Sequence, residues 1–100
     1  MATTLQKSYE VEALNNMKVH AFVMFDYETR EAIASLEYNG ATVKRTFRSK
    51  EGLEYAALEE AAYRVADDAT IRNTTERVYV MMQDLARSVA YRVDAYLYSA

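Results

Sequence analysis

The sequence predicts an α+β domain: a three-stranded antiparallel β-meander packed on one face by helices, in the order α-β-β-β-α-α with a long C-terminal helix. Three observations carry this reading. Asn39-Gly40, a dipeptide suited to the two positive-φ positions of a type I′ turn, stands between two runs of alternating residues. A third alternating run precedes them at the distance of a short turn. After Ser49 the apolar spacing changes from two to three and four, is broken at Asp67-Asp68, and resumes in a second, longer run.

At the amino terminus, Leu5, Tyr9 and Leu14 fit a short helix and Tyr9-Glu-Val-Glu-Ala fits an edge strand; the helix is preferred. In the next run Val19, Ala21, Val23 and Phe25 share one face, and His20, Phe22, Met24 and Asp26 the other. A turn near Tyr27–Arg30 leads into Ala32–Tyr38. With a two-residue loop at Asn39-Gly40, Tyr38 pairs with Ala41, Leu36 with Val43, Ala34 with Arg45 and Ala32 with Phe47, which places Glu31 opposite Arg48 on the second face. A competing reading makes Thr29–Tyr38 a helix, because Glu-Ala-Ile-Ala-Ser-Leu-Glu is rich in helix formers.

Ser49 is a good N-cap, and Tyr55, Leu58, Ala61, Ala62, Val65 and Ala66 form one stripe of a helix running to about Ala66. Asn73 and Glu76 resemble a capping box for a second helix, whose core stripe is Val78, Met82, Leu85, Val89, Val93 and Tyr96. At ~24 residues it spans about 36 Å. That is long for a domain whose radius of gyration is about 13 Å, so part of it is expected to project towards a partner.

One hundred residues make a single domain over 1–100, with 51% hydrophobic residues to build a core. No Cys and one His, His20, exclude a disulfide framework, a thiolate metal site, a thiol nucleophile and a histidine metal cage within one chain. Neither a metal nor another cofactor is expected. Only Gly40 and Gly52 are glycines, so no glycine-rich phosphate loop can be built. The net charge of −3 gives no global attraction to nucleic acid or to an anionic membrane. No stretch approaches ~20 uninterrupted apolar residues, and a cytoplasmic location is expected.

Candidate catalytic groups fail on geometry. His20 lies across from Glu37, but no activated nucleophile or oxyanion hole accompanies them, so no catalytic residue is assigned and the protein is expected not to be an enzyme. Glu59-Glu60 lie on the first helix and Asp67-Asp68 break its pattern just after it; adjacent helix residues diverge by about 100°. They do not converge on one atom. Collectively they form an acidic strip that fits a basic partner protein, as a mimic of nucleic-acid phosphates.

Two binding faces remain. On the long helix, Val80, Asp84, Arg87, Tyr91, Ala95 and Tyr98 form a second seam opposite the core stripe, and apolar residues on both sides of a helix point to burial on both. Tyr and Arg are enriched at interfaces, so this seam is the leading surface for a protein partner or a homodimer. The second face is the sheet side turned away from the helices, where Phe22, Met24 and Ile33 stand beside Lys44 and Arg48. An aromatic flanked by cations is what single-stranded nucleic acid uses for stacking and phosphate contact.

The order α-β-β-β-α, ending in Arg48-Ser49-Lys50 before an alanine-rich helix, is similar in topology to double-stranded-RNA-binding domains. Those domains grip phosphate with a basic cluster at the start of the final helix. Here Glu51, Gly52, Glu54, Glu59 and Glu60 occupy that region and only Lys50 is basic, so no family is assigned. The functional expectation is a non-enzymatic, small, acidic protein-binding module of the kind by which phages and mobile elements sterically block host nucleic-acid-processing machinery. A nucleic-acid-binding domain using the exposed sheet face is the alternative.

Overall fold

The computed structural model describes residues 4–12, 18–69 and 75–98. Among these lie four strands, β1 (Thr4–Glu12), β2 (Lys18–Asp26), β3 (Glu31–Tyr38) and β4 (Ala41–Arg48), and two helices, α1 (Glu54–Asp68) and α2 (Thr75–Tyr98). The strands form one antiparallel sheet in the order β1-β2-β3-β4. Both helices cover the same face of it, α1 over β3 and β4 and α2 over β1 and β2.

The central hairpin has the register its turn dictates. Asn39 and Gly40 take φ of 49° and 78°, and Tyr38 faces Ala41, Leu36 faces Val43, Ala34 faces Arg45 and Ala32 faces Phe47. Because side chains alternate, this one turn decides which residues of β3 enter the core: Ala32, Ala34 and Leu36 are buried. The neighbouring pairing puts Val23 opposite Ala34 and Ala21 opposite Leu36, extending the apolar face across β2. Residues 31–38 are thus a strand, and the helical alternative for Thr29–Tyr38 does not hold; cross-strand pairing outweighs the local preference of Glu-Ala-Ile-Ala-Ser-Leu-Glu.

Three further expectations need correction. The amino-terminal segment is a strand and not a helix, so the sheet has four strands and the order is β-β-β-β-α-α. The likeness to double-stranded-RNA-binding domains lapses with it. In register, Leu5, Lys7, Tyr9 and Val11 of β1 stand opposite Phe25, Val23, Ala21 and Val19, so a period of two governs where spacing suggested a helix. Ser49 does not cap α1: the helix begins at Glu54 with Leu53 in the capping position and no side-chain cap. Ser49 instead donates from its backbone N–H and its hydroxyl to the Arg30 carbonyl, at 2.8 and 3.1 Å, which ties the end of β4 to the β2–β3 turn. Asn73, offered as the cap of α2, lies outside the described residues.

Third, α2 does not project. Val78, Met82, Leu85, Ala86, Val89, Ala90 and Val93 are all buried, so the helix lies on the molecule over most of its length. Its last turn is also engaged, Tyr96 against Tyr27 with ring centroids 4.6 Å apart. The molecule is elongated to accommodate it, 47 × 21 × 18 Å. On α1 the buried stripe is Ala57, Leu58, Ala61, Ala62, Val65 and Ala66, while Tyr55 is turned outward and Glu54 takes its place in the core. Alanine supplies ten of the 21 buried apolar residues among those described. The largest apolar side chains fully buried among them are Phe25, Leu36, Leu58, Met82 and Leu85.

Candidate functional site

The position of α2 is set at its carboxyl end by a buried acid. Glu54 is only 1% exposed, and its Oε1 accepts from Arg30 Nη2 at 2.6 Å, from the Tyr98 hydroxyl at 2.6 Å and from the Gly52 N–H at 3.2 Å. Gly52 N–H also reaches Tyr98 Oη at 2.8 Å. Burial pushes the Glu54 carboxyl up, but the hydrogen bonds from Tyr98, the backbone and Arg30 together outweigh it and hold the group below its ordinary value. The same bond raises the Tyr98 phenol. One carboxylate therefore joins the β2–β3 turn, the loop before α1 and the last turn of α2.

This cluster escaped sequence reasoning, although a signal was there. Extending the α1 stripe of Ala57, Leu58 and Ala61 back by one turn lands on Glu54, and an acid on an apolar stripe must find donors inside. Its two side-chain donors come from residues 24 and 44 positions away, which periodicity cannot reveal. Arg30 is held at φ 58°, a left-handed conformation unusual for an arginine. There its carbonyl faces Ser49 and its guanidinium faces Glu54.

With the core side of α2 settled, its opposite side is open. Val80 is 61% and Tyr91 78% exposed, and Asp84 and Arg87 between them are exposed as well. Tyr98, assigned to the same seam, is half exposed but has its hydroxyl committed to Glu54. Along the amino-terminal half of the seam runs an open groove of about 580 Å³, lined by Glu76, Arg77, Val80, Met81, Gln83, Asp84 and Arg87. The structure thus brings Val80, Asp84, Arg87 and Tyr91 onto one solvent-facing line of a rigid helix.

The other predicted residues fall as follows. Phe22, Met24 and Ile33 lie half-buried on the sheet face away from the helices, Met24 directly opposite Ile33. Lys44 and Arg48 are exposed on the same face, but Glu31 and Glu37 alternate with them there. His20 stands opposite Glu37. Of the acidic strip, Glu60 pairs with Arg64 at 2.8 Å and Asp68 with Arg45, each holding its arginine's pKa up. Two of its four carboxylates are therefore paired within the chain, and Asp67 also acts on Arg64.

Compared with protein-family models, curated proteins and solved structures, the chain matches none. Among the described residues no helix is long and apolar enough to cross a membrane.

Proposed function

We propose that the protein is a non-enzymatic binding module that acts through the outer face of α2, by docking on another protein surface and covering it. The observation that carries this reading is the exposed line of Val80, Asp84, Arg87 and Tyr91, at the back of a helix whose core side is already complete. A tyrosine 78% exposed on a regular helix contributes nothing to the core. Set beside an arginine and a β-branched apolar residue, it has the composition of an interface centre. In its narrower form the module is a cytoplasmic inhibitor of host nucleic-acid-processing machinery, a reading supported by the chain's net negative charge.

The test is a tagged pull-down from bacterial lysate, with and without nuclease, using the wild type and Val80→Asp/Tyr91→Asp. A stoichiometric protein that survives nuclease and is lost with the double variant is the expected result. Retention of that protein by a double variant with an unchanged circular-dichroism spectrum overturns it.

A second reading, nucleic-acid binding by the open sheet face, is favoured by the adjacency of Phe22, Met24 and Ile33 beside Lys44. It requires affinity for RNA or single-stranded DNA that falls by about one log unit per contacted phosphate per decade of salt. Binding that is absent or insensitive to salt removes it.

A further inference from the structure

We infer that the outer face of α2 pairs with the same face of a second copy of this chain, antiparallel, about a two-fold axis passing midway between Asp84 and Arg87. The inference rests on the reading of that face as a contact surface, and goes beyond it by naming what occupies the face, and in which register, when no other protein is docked there.

Extended by Arg77 and Asp94, the outer line becomes Arg77, Val80, Asp84, Arg87, Tyr91 and Asp94, with spacings of three, four, three, four and three. This spacing keeps all six on one narrow line along the helix, so that an antiparallel neighbour would meet them residue by residue. All six are exposed, and neither arginine nor either aspartate of the line has a hydrogen bond or ion pair within the chain among the described residues. Because a two-fold interface is self-complementary, each seam residue must suit the residue it meets. About the proposed axis Asp84 meets Arg87, Arg77 meets Asp94 and Val80 meets Tyr91, each twice. Four opposite-charge pairs and two apolar pairs result, with no conflict.

The alternatives fail on the same residues. A parallel, in-register pair sets Arg77, Asp84, Arg87 and Asp94 each against its own copy, which is like charge at four layers. Moving the antiparallel axis by one seam layer towards the amino terminus brings Arg77 against Arg87; one layer the other way brings Asp84 against Asp94. One register, and one orientation, satisfies every charge. The contact runs about 26 Å along the helix. That places the buried area at the low end for specific interfaces, so the dimer is expected to form at micromolar concentrations and to weaken with salt.

The test is sedimentation equilibrium across 1–200 μM chain on the wild type, Asp84→Arg, Arg87→Asp and the double exchange, with circular dichroism confirming that each folds. Either single change puts like charges together at both symmetric positions and is expected to weaken the dimer at least tenfold. The double exchange restores it. Most diagnostically, mixing the two single variants regenerates opposite charge at both positions, so two weakly associating proteins form a heterodimer.

A wild type that stays monomeric to 200 μM overturns the self-pairing. If Val80→Asp/Tyr91→Asp still loses a captured partner in that case, the protein-binding reading stands without it. A wild-type dimer indifferent to Asp84→Arg also overturns the inference, since the copies then meet elsewhere. So does a mixture of the single variants that fails to associate.

Discussion

Glu54 is the residue on which the arrangement of the helices turns. A buried carboxylate is tolerated only when donors replace its lost water, and here three of them meet on one oxygen. Tyr98→Phe removes one donor while keeping the ring, and is expected to lower the urea-denaturation midpoint at neutral pH. The pH dependence follows from the depressed carboxyl. Unfolded, Glu54 titrates near the ordinary value of about 4.3; folded, it titrates lower. Its ionised form therefore stabilises the fold fully above the unfolded value, and that stability is lost as pH falls through the folded one. The advantage of wild type over Glu54→Gln should be largest at neutral pH and shrink below about pH 4. An equal difference at pH 7 and pH 3 would assign the acid sensitivity to other groups.

At the level of the element, the Asn39-Gly40 turn is the feature most completely legible in the chain. Two residues specify the turn type, the turn specifies the register, and the register sorts two strands into core and solvent faces. Gly40 has φ 78° and a Cβ added there meets nothing within 4 Å, so Gly40→Ala exerts a pure backbone penalty, expected at about 1 kcal/mol. A lower denaturation midpoint with an unchanged m-value checks it. The core stripe of α2 was equally readable, from Val78 to Val93, because 3.6-residue spacing persists for about four turns; Tyr96 fell outside it, since the helix end leans on Tyr27 and leaves most of the ring in solvent. β1 was not readable from its own residues, which mix Lys7, Ser8, Glu10 and Glu12 with few apolar ones. Its place is fixed by backbone pairing with β2, which the side-chain pattern of either strand does not record. Half of the candidate site was legible in the same way: periodicity found the line of Val80, Asp84, Arg87 and Tyr91, but could not show that the Tyr98 hydroxyl belongs to Glu54.

For the molecule as a whole, the meander and the helix pair are interdependent. α2 rests on β1 and β2, and Lys7 of β1 reaches Ser88 of α2 at 3.5 Å. Deleting residues 1–12 takes away half of the floor beneath α2 and bares the edge of an apolar strand. The expected outcome is a species that aggregates, seen as void-volume elution in size-exclusion chromatography; a stable monomer would make β1 an accessory. The order of elements also has a consequence in time. All four strands precede both helices, so a chain being synthesised completes the Val19–Leu36 apolar face before any of its cover has been made. At ribosomal rates of about 5–20 residues per second, the stretch from Ser49 to the end of α2 at Tyr98 takes roughly 3–10 seconds to appear. For that interval the nascent meander is a one-sided sheet, a natural client for a chaperone that holds exposed apolar surface.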